Sequence, residues 1–408
     1  MTTNTHKKED NQLITIEGLK GVGNVELNLM PNQRVYTFIG SNGVGKTKVL
    51  EALFQGEFFI NKTVHASYIS EVNTDTGNLS VSKKITYQNL YSVNFDKKNH
   101  FGTLFNPHNN FILHEPVGLE LKTGACVFLG AKQRSDIDNK ELKSLPQLGI
   151  FSERRKNYFE YIINKMKNDF HSLGMSEDIK LWFVLRYMSS VLTKSDNRRF
   201  EIDNVLKILN KIDEKYDAEF IDVDGDFNLF LKNSGNKITL NHLSSGFASL
   251  LRIIQGIISG YANFTNETNL TDVPGIVFID EIESHLHLEW QVKIIPLLKD
   301  IFPNTTFYIA THSPLVLTQL QQGEAYKLVR GDDGVVRSEL IKNPSKKLFD
   351  DVLDDAFSIN LNHLKIQAIK NNIKNNIKNV PKKKLLDFLN EIEQEDKNNN
   401  IDAKDLIE

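Results

Sequence analysis

The sequence predicts an α/β fold with a mostly parallel core sheet, to which an antiparallel β subdomain and an inserted helical lobe are added. Three patterns support this prediction. An apolar strand at Arg34–Ile39 runs into a glycine-rich turn, and a helix follows from Lys46. Helices and strands alternate between residues 247 and 320, as they do in parallel sheets. Residues 151–216 carry apolar side chains at helical spacing, which predicts the helical lobe.

The composition is that of an ordinary globular protein. Of the 408 residues, 40% are hydrophobic and 25% are charged; the net charge of −3 gives no overall electrostatic case for binding nucleic acid. No apolar run approaches the roughly 20 residues that cross a bilayer, and the polar first residues have no secretory or transit character. The single cysteine, Cys126, lies in an apolar run and is interpreted as a small buried hydrophobe. These features predict a cytoplasmic protein without membrane contact.

Short strands are predicted at the start of the chain, where apolar residues lie between glycine-rich or Pro-Asn turns. They cover Gln12–Glu17, Asn24–Leu29 and Arg34–Ile39. Residues 57–130 mix β-like segments with Asn, Asp and Gly loops, and we expect a secondary antiparallel sheet there. Its strands are expected at Lys84–Leu90, Phe111–His114 and Ala125–Leu129.

The helical lobe is predicted as three helices. They begin near Phe151, near Ser176 and at Ile202, and the third is expected to reach Tyr216. No heptad pattern persists over several repeats, so the lobe is not expected to be a coiled-coil arm.

The rest of the chain is predicted to return to the core. A β-hairpin with an Asp-Gly turn is expected first, and helices and strands then alternate. The predicted elements are the hairpin strands Ala218–Val223 and Phe227–Leu231, a helix from Phe247, strand Gly275–Ile279, helix Leu288–Ile301, strand Thr305–Ala310, helix Pro314–Leu320, a strand after Gly334, and a helical tail.

One motif matches the phosphate-binding P-loop in full, directly after a strand and directly before a helix. In such loops the glycines let backbone N–H groups wrap the phosphates, the lysine reaches the β- and γ-phosphates, and the hydroxyl binds Mg²⁺. The sequence therefore predicts an ATP site in which Lys46 is a catalytic group and Thr47 a magnesium ligand. The predicted nucleotide-binding residues are Gly40, Ser41, Asn42, Gly43, Val44, Gly45, Lys46 and Thr47.

An acidic pair, Asp280 and Glu281, ends the apolar strand Gly275–Ile279. Alone, this pattern does not identify a catalytic site, because an acid at a strand end often only caps the next helix. Together with the P-loop it predicts a Walker B segment. Asp280 is then expected to hold Mg²⁺, and Glu281 to position and polarise the attacking water.

Two further motifs narrow the prediction. Residues 241–247, Asn-His-Leu-Ser-Ser-Gly-Phe, resemble the signature of ABC-type ATPases, and Thr311-His312-Ser313-Pro314 resembles their switch histidine. The order of P-loop, signature, acidic pair and histidine is also that of this family. The resemblance implies a P-loop NTPase fold of the ABC-ATPase type. It also implies that Ser244 and Gly246 complete the γ-phosphate site of a second subunit, which predicts a homodimer or a higher even oligomer with His312 at the catalytic site.

The block Asp280-Glu-Ile-Glu-Ser-His-Leu-His287 resembles the AAA-family ABC ATPases related to the RecF, OLD and Septu groups. This family usually continues with proline, whereas this chain has Leu288. The resemblance implies ATP and Mg²⁺ as cofactors, and a sensor or switch in antiviral defence that acts on a separate effector protein such as a nuclease. A neighbouring HNH nuclease or reverse transcriptase gene would favour this interpretation.

Four segments are predicted from these motifs. They are an N-terminal part of the ATPase head with the P-loop at 1–130, the inserted helical lobe at 131–217, a C-terminal part of the head with the signature, Walker B segment and switch histidine at 218–345, and a helical tail at 346–408.

Other functions stay open at this stage. A RecF-like repair ATPase would need a basic surface, and nucleic acid stays a candidate partner through the clusters Arg154–Lys156, Arg198–Arg199 and Lys382–Lys384, although solvated helix faces are the simpler interpretation. A toxin with its own nuclease is disfavoured, because the chain after His312 has no Asp-x-Asp metal pair. An inactive scaffold is disfavoured by the intact motifs.

Two smaller questions concern a glutamine and a pair of histidines. Gln88 and Gln133 each follow a strand-like segment, and either could be the Q-loop glutamine. His285 and His287 lie two residues apart without a nearby cysteine, which disfavours zinc.

Overall fold

A nine-stranded mixed sheet forms the centre of the computed structural model. The model describes residues 11–68, 71–72, 79–80, 92–94, 122–132, 145–175, 177–192 and 198–346. These residues all fall within one compact unit, Met1–Lys347. None of the helices described there is long and apolar enough to cross a membrane.

The strands are numbered in chain order. They are β1 Gln12–Leu19, β2 Gly23–Leu29, β3 Val35–Ile39, β4 Glu71–Val72, β5 Leu79–Ser80, β6 Ser92–Asn94, β7 Ala125–Leu129, β8 Tyr216–Val223, β9 Leu229–Asn233, β10 Asn236–Thr239, β11 Gly275–Ile279, β12 Thr305–Ala310, β13 Ala325–Arg330 and β14 Val336–Leu340.

The α-helices are numbered in the same way. They are α1 Lys46–Phe59, α2 Lys62–Tyr68, α3 Phe151–Asn168, α4 Ile179–Leu192, α5 Arg199–Ile212, α6 Ser245–Phe264, α7 Leu288–Gln291, α8 Ile294–Ile301 and α9 Pro314–Leu317. Short 3₁₀ turns lie at Phe170–Ser172, Leu240–His242, Leu270–Asp272 and Pro344–Lys346.

The parallel core of the sheet places the motif-bearing strands side by side. The strand order is β6-β1-β2-β14-β13-β3-β12-β11-β7. Strand β3 pairs in parallel with both β12 and β13, and β11 pairs in parallel with β12 and β7. Every residue of β3 and β7 is buried, as expected for parallel strands that are covered on both faces. The predicted α/β fold with a mostly parallel core is therefore confirmed.

The expected antiparallel sheet at residues 57–130 is partly wrong. Residues 62–68 are helical, and β7 joins the parallel core as the neighbour of β11. Since all five β7 residues are buried, this apolar run suits the interior of the core better than a half-exposed antiparallel strand. Antiparallel pairing instead involves β1 with β2 and β6, and β4 with β5. The strands predicted at 84–90 and 111–114 lie outside the described residues.

The three helices of the predicted lobe are present as α3, α4 and α5. The second begins at Ile179, where the Asp178 carboxylate accepts a hydrogen bond from the Leu181 N–H at 2.8 Å. The third ends at Ile212, because Tyr216 already belongs to β8. Helices α3 and α5 pack on α6. The segment boundaries at 131 and 217 stay a prediction.

Residues 288–301 form two short helices, α7 and α8, where one was predicted. Pro296 gives the physical reason. Its ring nitrogen cannot donate to the Val292 carbonyl, so it is tolerated in the first turn of α8 but not inside a continuous helix. Strands β10 and β13 are additions to the predicted elements, and the Asp-Gly hairpin is present between β8 and β9.

Three arginines of the helical region make contacts inside the fold. Arg198 is 2% exposed, and its Nε lies 2.5 Å from Glu201 Oε1. Arg186 reaches the other oxygen of Glu201 at 2.7 Å, which joins α4 to α5. Arg155 donates to the Asn263 and Phe264 carbonyls at the end of α6. Two of the clusters considered for nucleic acid thus contribute arginines that brace helices.

Candidate nucleotide-binding site

The P-loop connects the buried strand β3 to helix α1. Gly40 has φ 146°, and a Cβ there would lie 2.7 Å from the Leu328 carbonyl oxygen of β13. Only glycine fits this position, because both the backbone angle and the close strand exclude a side chain. Helix α1 begins without a side-chain cap, which leaves its first N–H groups free of a local side-chain acceptor. The loop therefore has the backbone form that binds phosphates.

Lys46 lies across this loop. Its Nζ donates to the carbonyl oxygens of Gly40 at 2.9 Å and Ser41 at 3.0 Å, and the residue is only 5% exposed. Burial lowers the pKa of the Lys46 amine from its ordinary value, and the negative charges of Glu283, Asp280 and Glu281 oppose that shift. One cation therefore lies among three carboxylates at the end of the parallel strands.

Thr47 and Asp280 meet although they are far apart in sequence. The Thr47 hydroxyl donates to Asp280 Oδ1 at 3.0 Å, and Asp280 is 1% exposed. They meet because β3 and β11 are separated only by β12, so that the residues after both strands share one edge of the sheet. A hydroxyl beside a carboxylate supplies the hard oxygen ligands that Mg²⁺ prefers. The predicted magnesium ligands are thus brought together.

Glu281 follows Asp280 in a left-handed backbone conformation, with φ 47°. This conformation is uncommon outside glycine and costs on the order of 1 kcal/mol. Such strain concentrates at functional sites, where surrounding contacts impose it. The turn directs the chain from β11 towards the exposed segment that contains His285 and His287.

Glu283 has a role that sequence reasoning missed. Its Oε2 accepts a hydrogen bond from the Thr311 hydroxyl at 2.6 Å, and its Oε1 accepts one from the His312 N–H, also at 2.6 Å. One carboxylate therefore fixes the backbone that carries the exposed His312 side chain. In the sequence, Glu283 is visible only as the second glutamate of the Asp-Glu-Ile-Glu block, and this pattern does not reveal which residues the carboxylate contacts.

Glu283→Ala is expected to lower the ATP turnover number kcat by about 10- to 100-fold with little change in KM, because His312 loses its positioning contacts. Glu283→Gln keeps an acceptor for the His312 N–H and should recover part of the loss. Steady-state ATPase kinetics at equal melting temperature measure both effects. A wild-type kcat in Glu283→Ala would show that the carboxylate does not position His312.

The signature residues form a separate group. Ser244 is the exposed N-cap of α6 and accepts a hydrogen bond from the Phe247 N–H at 3.3 Å. A Cβ on Gly246 would lie 2.4 Å from the His287 ring, so glycine permits this close contact. Among the described residues, hydrogen bonds link Thr47 to Asp280 and Glu283 to His312. In this part of the chain, Ser244 shares no hydrogen bond with any of these four residues.

Gln291 connects the loop after β11 to the histidine turn. Its Nε2 donates to the Leu286 carbonyl at 2.9 Å, and its Oε1 accepts from the Ser313 hydroxyl at 2.7 Å. The two Q-loop candidates, Gln88 and Gln133, lie outside the described residues.

The sequence was compared with known protein families. Residues 134–318 match the family described as "AAA domain, putative AbiEii toxin, Type IV TA system". This range contains the signature, the acidic pair and His312. The chain carries an AAA-family ATPase domain. Its activity is ATP hydrolysis, and its fold is that of P-loop ATPases, as the sequence predicted.

Relatives of this AAA-family ATPase extend over most of the chain. The Septu protein PtuA of Bacillus thuringiensis is 25% identical over 346 residues, which cover 81% of this chain and 78% of PtuA. The retron Vc95 probable ATPase of Vibrio cholerae serotype O1 biovar El Tor is 23% identical, covering 79% of this chain and 73% of the relative. A structure of an Smc head bound to the C-terminal winged-helix domain of ScpA aligns with a TM-score of 0.40 and 14% identity, over 82% of this chain and 98% of that one.

Proposed function

We propose that this ATPase is a switch in which ATP joins two copies of the chain and hydrolysis releases them. The observation that carries the proposal is that no hydrogen bond among the described residues joins the signature to the phosphate-binding group. Lys46, Thr47 and Asp280 lie together at the end of the core strands, whereas the exposed Ser244 caps α6, a helix whose Gly246 lies close to the His287 ring. The first group would bind the phosphates, and the signature of a second copy of the chain would complete this binding site.

Each residue of the nucleotide site has its own role in ATP binding or hydrolysis. Lys46 and the P-loop N–H groups bind the phosphates, and Thr47 with Asp280 would hold Mg²⁺, which neutralises charge on the phosphate oxygens when bound. Glu281 orients the attacking water and accepts its proton. His312, held by Glu283, donates a hydrogen bond to the γ-phosphate.

Mixing two inactive variants tests the composite site. Lys46→Ala removes the phosphate-binding cation of one half-site, and Ser244→Arg blocks the other. Because each defect falls on a different half, the mixture should regain about one working site per heterodimer. ATPase activity of the mixture is compared with each parent at the same total concentration.

Two results of the mixing experiment separate the alternatives. Activity above both parents supports a shared site. A mixture no more active than its parents, together with an unchanged molar mass on adding ATP, would mean that each chain hydrolyses ATP alone.

We also propose that the switch acts in the cytoplasm in antiviral defence and controls a separate effector protein such as a nuclease. This rests on the similarity to Septu and retron ATPases along most of the chain. A RecF-like repair role is less well supported, because Arg155 and Arg198 are engaged in contacts within the fold. Strong stimulation of the ATPase by duplex DNA would favour the repair role.

A further inference from the structure

A cavity of about 430 Å³ lies between helices α3, α4 and α6, and none of its lining residues belongs to the nucleotide site. Its volume is in the range of small-molecule pockets. Tyr158 and Tyr161, one helical turn apart on α3, form part of its lining, and Gln255 and Ser259 on α6 form another part. No motif used in ATP hydrolysis lines the cavity.

Gln255 is the most informative lining residue. The residue is 3% exposed, its amide lines the cavity, and within the described part of the chain no hydrogen bond to this amide is found. An amide that lines a cavity without partners in the protein is available to a ligand or to ordered water. The Tyr158 hydroxyl is likewise without a partner among the described residues, and burial raises the pKa of this phenol, which keeps it a neutral donor.

Charged groups are also present in the lining. Arg154 and Arg186 contribute two cations and Glu177 one carboxylate. Glu177 accepts a hydrogen bond from the Ser259 hydroxyl at 3.2 Å, and its other oxygen lies 3.6 Å from Arg186 Nη1. Arg186 also pairs with Glu201 at 2.7 Å, so two carboxylates compensate this cation, and the cavity suits a ligand that is neutral or carries a small charge.

We propose that this cavity binds a purine nucleoside or its monophosphate. An amide offers one donor and one acceptor in a plane, which matches the edge of a base, and tyrosine rings offer the surfaces on which bases stack. Arg154 supplies a cation for a phosphate or a ribose oxygen. Because the lining includes α6, which begins at the signature, the bound ligand contacts the same helix that presents Ser244.

The test measures binding of adenosine, guanosine, AMP and GMP by calorimetry and thermal shift. These probes lack the β- and γ-phosphates that a P-loop recognises. The wild-type chain is expected to bind at least one of them saturably, and Lys46→Ala should bind it equally well. Comparing each nucleoside with its monophosphate tells whether the phosphate contributes.

Gln255→Leu is the main variant. The substitution keeps the size of the side chain and removes only its polar atoms, so the melting temperature of the free protein should change little, while binding should weaken at least about tenfold. Tyr158→Phe, which removes only a hydroxyl, should weaken binding without loss of stability. The matched control is Gln321→Leu, which changes an exposed glutamine in a turn and should alter neither quantity.

Three outcomes would overturn the proposal. No saturable binding of any probe to the wild-type chain would mean that the cavity holds water only. Binding that persists in both Gln255→Leu and Tyr158→Phe would place the ligand elsewhere. Binding that disappears in Lys46→Ala would assign it to the P-loop.

Discussion

Glu281→Gln is expected to bind ATP as tightly as the wild-type chain and to lower kcat by about 10²- to 10⁴-fold, the usual contribution of a positioned general base. The amide has the shape of the carboxylate but cannot accept the proton of the attacking water. Because this interaction arises in the transition state, the loss should appear in kcat and not in nucleotide affinity. Fluorescent-nucleotide binding and single-turnover hydrolysis measure the two quantities separately.

Glu289→Gln is the matched control for this substitution. Glu289 is exposed on α7, shortly after Glu281 in the chain, and forms a surface ion pair with Lys293 at 2.7 Å. Such pairs contribute little, so both kcat and stability should stay close to wild type. If Glu281→Gln also kept wild-type turnover, the assignment of Glu281 would be refuted.

Lys46→Ala is expected to abolish measurable ATP binding. Its ammonium is the cation placed over the P-loop, 2.9 Å from the Gly40 carbonyl, and charge-assisted hydrogen bonds to phosphate are worth about 1.5–3 kcal/mol each. Two such bonds correspond to an affinity loss of roughly 10²-fold or more. Equilibrium titration with a fluorescent ATP analogue measures it.

Lys62→Ala provides the comparison for Lys46→Ala. Lys62 is an exposed lysine at the start of α2, so its removal changes the net charge equally without touching the loop. Its affinity for ATP should be unchanged. Near-normal binding by Lys46→Ala would show that the amine does not contact the phosphates.

Local patterns explain what the sequence could predict. The strands Gly275–Ile279 and Thr305–Ala310 and the start of α1 at Lys46 lie where they were expected, because each is bounded by its own turn or motif. The grouping of Thr47 with Asp280 was also foreseeable, since the strands that carry them end at one edge. Their roles in hydrolysis stay predictions until they are tested.

Contacts between distant segments explain what the sequence could not predict. The role of Glu283 depends on Thr311 and His312, which reach it only after β11 and β12 pair. Arg198 belongs to a basic pair in the sequence, but it is buried against Glu201 in the folded chain. The parallel pairing of β7 with β11 likewise joins residues that no local pattern connects.

The exposed position of Ser244 at the N-cap of α6 has a consequence for how the activity depends on the amount of protein. If each working site needs two chains, as proposed, the hydrolysis rate per chain rises with protein concentration, because association is governed by mass action. A cell with few molecules of this protein would then contain mostly single chains that do not hydrolyse ATP. Raising expression alone would activate the system, so the abundance of the protein would itself set the threshold of the response.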